Sequence, residues 1–153
     1  MVGVDSNLGS DRYYANFNIK IGSLNMQGQS RRDNVKLRKV KNIITRENFD
    51  ILLIQETRSD GSEAERRRWY KEFNTSQIYL TNLGSTSVGA GIIVKNEEVF
   101  KVHQSFLDPR GRYAAIIGDH EDGRFLVVSF YAPYIEKEIK EFVFALNPLC
   151  WEH

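Results

Sequence analysis

The chain has 153 residues, of which 41% are hydrophobic and 27% are charged, and its formal net charge is +1. A chain of this length and composition is expected to fold as one globular domain rather than to remain disordered. The near-neutral net charge argues neither for nor against binding to nucleic acid. Because Cys150 is the only cysteine, an internal disulfide and a zinc site built from cysteines are excluded.

The amino-terminal residues are polar and lack the apolar stretch of a secretory signal peptide. No apolar run in the sequence approaches the ~20 residues that a membrane-spanning helix needs. We therefore expect an intracellular protein, with the nucleus as a candidate compartment, and neither secretion nor a membrane partner. Residues 1–16 are predicted to form a loose polar tail, and residues 148–153 a C-terminal tail.

The first predicted elements are a strand and a helix. Residues 17–25 alternate apolar and polar side chains, which predicts a strand that ends at Asn25. Asp33 or Asn34 is expected to cap the following helix, and Asn48 to end it. The apolar positions of this helix recur at helical spacing; they are Leu37, Val40 and Ile44.

The run Ile51–Ile54 is apolar on both faces and predicts a central strand that is covered on both sides. Ser62 and Glu65 form a capping box for a second helix, in which Trp69 and Phe73 lie one turn apart. The later part of the chain predicts a meander of strands and a final amphipathic helix. These strands cover residues 78–80, 92–94, 99–106, 113–117 and 125–131, with a hairpin turn at 119–123, and the helix covers 135–146.

The order of these elements is strand, helix, strand, helix, then a meander of strands and a helix. This order predicts an α/β architecture with a mixed sheet and helices on one face. No linker or internal repeat divides the chain, so residues 17–147 are expected to form one domain.

Two polar side chains stand where the first two long strands end, namely Asn25 and Glu56. If the two strands are neighbours joined by the helix between them, both side chains project at the same edge of the sheet. A carboxylate and an amide oxygen at that edge could hold Mg²⁺, which favours oxygen ligands. By position alone, an exposed glutamate after a strand and a turn-forming asparagine are the more common explanation of these residues.

Five segments of the sequence together carry a family resemblance. They are residues 21–28, 49–57, 89–94, 111–113 and 128–133. The order of these segments and their motifs, including Leu-Asn-x-x-Gly, Gln-Glu-Thr and Tyr-Ala-Pro, resemble the endonuclease/exonuclease/phosphatase superfamily. The motifs are most similar to those of the endonuclease domains of LINE-type retrotransposons, which are related to apurinic-site endonucleases.

The resemblance implies the N-terminal portion of a four-layered DNase I-like sandwich and a phosphodiester-cleaving activity on DNA. It implies that Asn25 is an active-site asparagine near the metal and the phosphate, and that Glu56 is the metal-binding carboxylate. Tyr131 matches the tyrosine that approaches the scissile phosphate. The implied cofactor is Mg²⁺ or Mn²⁺. Arg112 is expected to support the fold rather than the chemistry.

After Tyr-Ala-Pro, the family pattern continues to an Asp-x-Asn motif and then to a Ser-Asp-His-type segment, and neither follows in this sequence. Asp119 and His120 are assigned to the hairpin turn and not to that segment. We therefore expect a truncated domain that binds metal weakly and is inactive alone. We also expect it to expose one apolar face of the sheet, which favours self-association.

Two alternatives remain open. The first is a non-catalytic nucleic-acid-binding or interaction module, because seven basic residues and one acid lie between Arg31 and Arg46. Such a charge run on a helix is more often a solvated face. The second alternative is a phosphomonoesterase of the same superfamily.

Overall fold

A computed structural model of the chain describes residues 2–4, 13–15, 18–28, 34–74, 76–81, 89–121 and 123–131. The helices in these ranges are α1 (Val35–Glu47) and α2 (Glu63–Glu72). The strands are β1 (Val2–Val4), β2 (Tyr13–Ala15), β3 (Ile21–Asn25), β4 (Ile51–Gln55), β5 (Gln77–Leu80), β6 (Ala90–Val94), β7 (Lys101–Leu107), β8 (Tyr113–His120) and β9 (Gly123–Phe130). The predicted α/β class is confirmed, while the helix predicted over 135–146 lies outside the described residues.

Two short stretches of the amino-terminal segment are described, and the prediction of a loose tail over residues 1–16 stays a prediction. β1 and β2 pair as an antiparallel ribbon in which Val2 lies opposite Ala15 and Val4 lies opposite Tyr13. Valine and tyrosine are strong strand formers, so a short ribbon is compatible with an otherwise polar segment. The polar composition of this segment did not predict the pairing of β1 with β2.

The central sheet has the strand order β3-β4-β6-β5. β3 and β4 are parallel, with Asn25 opposite Gln55, whereas β6 runs antiparallel to both β4 and β5. A parallel pair needs a long crossover connection, and α1 supplies it. The predicted mixed sheet is therefore confirmed, and β3 and β4 end at the same edge.

The helix α1 packs on one face of this sheet. Its buried side chains are the predicted ones, Leu37, Val40 and Ile44. Asn34 is the N-cap residue but its side chain makes no capping hydrogen bond, and Asn48 ends the helix in the left-handed conformation with φ 52°. The apolar spacing therefore predicted both the helix and its buried face.

The helix α2 packs on the same face and begins at the predicted cap. Ser62 Oγ accepts a hydrogen bond of 3.1 Å from the Glu65 amide. The Glu65 carboxylate bonds to the preceding loop rather than to Ser62, because Oε2 accepts from Asp60 N at 2.7 Å and from Ser59 Oγ at 3.0 Å. Burial raises the pKa of the Glu65 carboxyl. The Trp69 and Phe73 rings stack with centroids 5.6 Å apart.

The opposite face of the central sheet is covered by a second sheet with the order β7-β8-β9. One core cluster joins the two sheets; its buried members are Ile51, Ala90, Ile92, Val94, Phe100, Ala114 and Ile116. The expectation that this face would be exposed is therefore wrong for the described part of the chain. It failed because the meander strands fold back over β4 instead of extending the central sheet, and the expected self-association loses its physical basis.

The hairpin of β8 and β9 is longer than predicted. His120 pairs with Gly123 and Asp119 pairs with Arg124, so Asp119 and His120 belong to the strand and not to the turn. Neither α1 nor α2 is long and apolar enough to cross a membrane, and the described residues contain no other helix.

The buried contact between the two sheets can be tested by a pair of isoleucine truncations. Ile92 is fully buried in the inter-sheet core, whereas Ile21 on β3 is 46% exposed. We expect Ile92→Ala to lower the free energy of unfolding by about 2–5 kcal/mol, because it leaves a cavity in a packed core. Ile21→Ala is the control, with an expected cost below about 1 kcal/mol. Urea unfolding measures both, and equal losses would contradict the two-sheet core.

Candidate active site

The carboxyl ends of β3 and β4 bring Asn25 and Glu56 into direct contact. The Asn25 Nδ2 atom donates to Glu56 Oε1 at 2.9 Å, and Asn25 Oδ1 accepts from the Gln27 amide at 2.8 Å. The backbone continues the strand pairing past both strand ends, with Gly28 N bonded to Glu56 O at 2.7 Å. The two side chains are thus fixed by their own loops as well as by each other.

The orientation of the Asn25 amide follows from this network. If the amide were turned over, its oxygen would face the Glu56 carboxylate and its NH₂ group would face the Gln27 N–H. Both contacts would be repulsive. Asn25 therefore donates to the carboxylate and holds Glu56 in one orientation, rather than offering its amide oxygen first to a cation.

The two loops have an unusual backbone. Of the four described non-glycine residues with positive φ, three lie here, at Gln27 (51°), Glu56 (51°) and Arg58 (47°). The fourth is Asn48, the helix cap described above. Left-handed conformations of such residues cost free energy, and they cluster at sites where the surrounding structure holds a side chain for function.

Thr57 and Gly89 support the backbone conformation of the neighbouring Glu56. Thr57 is fully buried, and its amide donates to Gly89 O at 3.4 Å. Gly89 has φ 73°, and a Cβ atom added to it would lie 2.4 Å from Thr57 Oγ1. Only glycine fits at this position, which explains one glycine of the Gly-Ala-Gly segment.

Lys36 anchors the loop that follows Asn25, which sequence reasoning did not detect. Its Nζ atom donates to the carbonyl oxygens of Met26 at 3.2 Å and Gln27 at 3.1 Å, and also to that of Gly28. The sequence had grouped Lys36 with the cations of α1 because spacing alone cannot show that the first helical turn lies beside the loop. Lys36 therefore stabilises the conformation of the loop that follows Asn25.

Arg58 is a second residue that sequence reasoning missed. Its Nη2 atom lies 3.9 Å from Glu56 Oε2, and its side chain remains 61% exposed. The aliphatic part lies over Gly28, where an added Cβ atom would approach Arg58 Cδ to 2.8 Å. The only sequence signal was its position directly after Gln-Glu-Thr.

Tyr131 lies at the same end of the two sheets. The β9 residue Ser129 donates to Ile54 O at 3.0 Å and accepts from Gln55 Nε2 at 3.3 Å. Tyr131 is two residues farther along, which places its Cα within about 7 Å of that of Ser129. Its amide donates to Arg112 O at 2.8 Å. Its predicted approach to a phosphate stays a prediction.

Arg112 supports this arrangement through a partly buried ion pair. Its Nε and Nη2 atoms donate to the two carboxylate oxygens of Asp108 at 2.7 Å and 3.1 Å. Burial of Asp108 opposes ionisation, but the hydrogen bonds from the Arg112 side chain and amide outweigh it and lower the pKa of Asp108. These contacts fit the fold-supporting role that was expected for Arg112.

The pair Asp119 and His120 does not form part of this site. Asp119 Oδ1 accepts from Arg124 Nε at 2.9 Å, and Asp119 Oδ2 lies 2.6 Å from His103 Nε2. The hydrogen bond from Arg124, followed by that to His103, lowers the pKa of Asp119 to about 2. Local cross-strand pairing at the far end of β8 accounts for these residues.

The donor set at Glu56 fits only a weakly held hard cation. The described residues contain no group of three or more histidine, cysteine, aspartate and glutamate side chains that could hold a metal ion. Glu56 Oε1 already accepts from Asn25, so Oε2 is the oxygen left for a ligand. Mg²⁺ is commonly bound by one or two carboxylates and keeps several waters, so the residues fit Mg²⁺ but would bind it weakly.

Solved structures share this architecture. The endonuclease domain of TRAS1, a telomere-specific non-LTR retrotransposon, aligns with a TM-score of 0.60 and 16% identity over 84% of this chain. A humanized D. rerio TDP2 gives a TM-score of 0.64 with 12% identity over 87%. The AP endonuclease LMAP from Leishmania major gives 0.59 with 15% identity over 86%. The chain has a DNase I-like fold.

All three neighbours belong to the endonuclease/exonuclease/phosphatase superfamily, so the resemblance stated from the sequence is confirmed at the level of the fold. The DNase I-like chain spans about half the length of each, with 53%, 56% and 45% of those chains covered. No protein-family model matches the sequence, and no curated protein matches it.

The Asp108–Arg112 pair predicts a pH-dependent stability. Because the pKa of folded Asp108 lies below the ordinary value of about 3.9, its ionised form stabilises the fold above that value. This contribution is lost as the pH falls through the lowered pKa. We expect Asp108→Asn to cost about 2 kcal/mol at pH 7, and the gap from wild type to close at strongly acidic pH.

The control is Asp119→Asn, which removes a carboxylate from an exposed pair on β8. We expect a much smaller effect at pH 7, because exposed pairs are screened by water. Urea unfolding as a function of pH measures both variants. Equal losses at pH 7, or a gap for Asp108→Asn that does not depend on pH, would contradict the account.

Proposed function

We propose that the chain carries part of a divalent-metal-dependent, phosphodiester-cleaving site of the endonuclease type, acting on DNA. The supporting observation is the Asn25–Glu56 contact at the ends of the parallel strands β3 and β4. In open α/β sheets, ligands bind outside the carboxyl ends of the strands. One neighbour with this fold, a D. rerio TDP2, is complexed with a single-stranded DNA product.

In this proposal Glu56 would hold Mg²⁺ or Mn²⁺ through its carboxylate, an oxygen ligand of the kind these ions favour. A divalent cation at that position supplies charge neutralisation and polarisation of the phosphate. Asn25 keeps the carboxylate oriented by donating to Oε1. Tyr131, held through Arg112, is the proposed contact to the scissile phosphate.

A second part of the proposal concerns the DNA-cleaving activity of these residues. After Tyr131 the sequence contains no aspartate, so the Asp-x-Asn and Ser-Asp-His-type segments of the family do not follow here. General acid–base catalysis alone contributes ~10²–10⁴-fold to such reactions. We propose that these 153 residues alone do not cleave DNA at a significant rate.

A plasmid-nicking assay tests the predicted lack of activity. We expect no nicking above background in Mg²⁺ or Mn²⁺ over hours, because the Asp-x-Asn and Ser-Asp-His-type segments do not follow Tyr131 in these residues. Glu56→Gln is the control for contaminating nucleases. Nicking by the wild-type chain that Glu56→Gln abolishes would overturn the proposed inactivity while supporting the metal site.

Substitution at Asn25 tests whether its hydrogen bond to Glu56 supports metal binding. We expect Asn25→Ala to bind Mn²⁺ roughly tenfold more weakly, since the hydrogen bond that orients the Glu56 carboxylate is lost. Calorimetric titration measures this affinity in wild type, Asn25→Ala and Glu56→Gln. Wild-type binding that Glu56→Gln leaves unchanged would contradict Glu56 as the ligand.

A further inference from the structure

Arg58 lies beside Glu56 without being bonded to it. The Nη2–Oε2 distance of 3.9 Å exceeds a hydrogen bond, and the Arg58 side chain is 61% exposed whereas that of Glu56 is 19% exposed. Among the described carboxylates, Glu56 is the one that lies within ion-pair distance of this guanidinium. The Arg58 side chain is therefore mostly open to solvent beside Glu56.

The aliphatic stem of Arg58 is nevertheless held in place. The backbone of Arg58 has φ 47°, and its aliphatic stem lies over Gly28, where an added Cβ atom would approach Arg58 Cδ to 2.8 Å and Nε to 3.3 Å. Gly28 in turn is tied to the Glu56 carbonyl by a hydrogen bond of 2.7 Å. The stem is fixed by packing, and the charged head stays free to exchange partners.

The charge at the site determines which groups the Arg58 guanidinium can bind. A divalent cation at Glu56 Oε2 would lie within several ångströms of the guanidinium, and like charges at that separation repel each other. The guanidinium would then lose its partner and face a site that holds excess positive charge. Its planar donor fork matches the non-bridging oxygens of a phosphate, which is the anion that such a site attracts.

We propose that Arg58 is a counter-ion of Glu56 that a divalent cation displaces, and that the displaced guanidinium binds a phosphate oxygen of the substrate. The first half rests on the proposed metal site at Glu56. The second half rests on the exposure and packing of Arg58 itself. Arg58 thus has two alternating partners, and its removal affects metal and phosphate in opposite directions.

The decisive variant is Arg58→Gln, which keeps the length of the stem but removes the charge. We expect it to bind Mn²⁺ roughly fivefold more tightly, because a competing cation is gone. In the presence of Mn²⁺ it should bind a short single-stranded oligodeoxynucleotide roughly tenfold more weakly. A merely structural role would weaken both, so the opposite signs identify the proposed exchange.

Two further variants complete the test. Arg46→Gln removes an arginine from another exposed pair, that with Glu47, and is expected to change neither affinity by more than about twofold. Arg58→Lys keeps the charge but not the fork, so its Mn²⁺ affinity should match wild type and its oligonucleotide affinity should lie between those of wild type and Arg58→Gln. Circular dichroism verifies that each variant is folded.

The outcomes separate this inference from the proposed function. Equal Mn²⁺ affinity of wild type and Glu56→Gln would overturn the metal site and the counter-ion exchange with it. Equal oligonucleotide affinity of wild type and Arg58→Gln, or a parallel loss of both ligands, would overturn the inference even with the metal site intact. A parallel titration with inorganic phosphate distinguishes the source. Weakening of both phosphate ligands supports binding of the nucleic-acid phosphate group, and weakening of inorganic phosphate alone overturns it in favour of a free phosphate ion.

Discussion

The parallel pairing of β3 with β4 is the constraint on which the site depends. Its register sets Asn25 opposite Gln55, so the next residue, Glu56, leaves the sheet beside the Asn25 amide. The resulting 2.9 Å hydrogen bond joins residues that are far apart in sequence. A shift of one residue would turn each side chain to the other face of the sheet and separate the two groups. The crossover helix α1 therefore contributes to the core by its apolar side chains and to the site by connecting the parallel strands β3 and β4.

The second sheet extends this constraint to the later part of the chain. Ser129 donates to the Ile54 carbonyl, which ties the end of β9 to the end of β4. The Arg112 side chain is bound to Asp108, and the Arg112 carbonyl oxygen accepts a hydrogen bond from the Tyr131 amide at the same end. The inter-sheet core thus does two things: it buries the apolar face of β4, and it aligns the carboxyl ends of strands from two different sheets.

Much of this could be predicted from the sequence, because apolar period and strand ends are local signals. The spacing of Leu37, Val40 and Ile44 gave α1, and the doubly apolar run at 51–54 gave the central strand. The cover of β4 could not be predicted, because the pattern of the meander does not state which sheet its strands join. Lys36 and Arg58 were missed for a related reason: a charged residue shows its partner only once two loops are brought together in space.

We propose that a divalent cation binds at Glu56, beside the loops after β3 and β4. Paramagnetic broadening of backbone amide signals by substoichiometric Mn²⁺ tests it most directly, because the effect falls steeply with distance from the ion. We expect the signals of Gly28 and Thr57 to broaden first, while that of the buried Ile116 between the sheets persists. Broadening that centres on the exposed Asp119, or that affects all amides alike, would contradict the account.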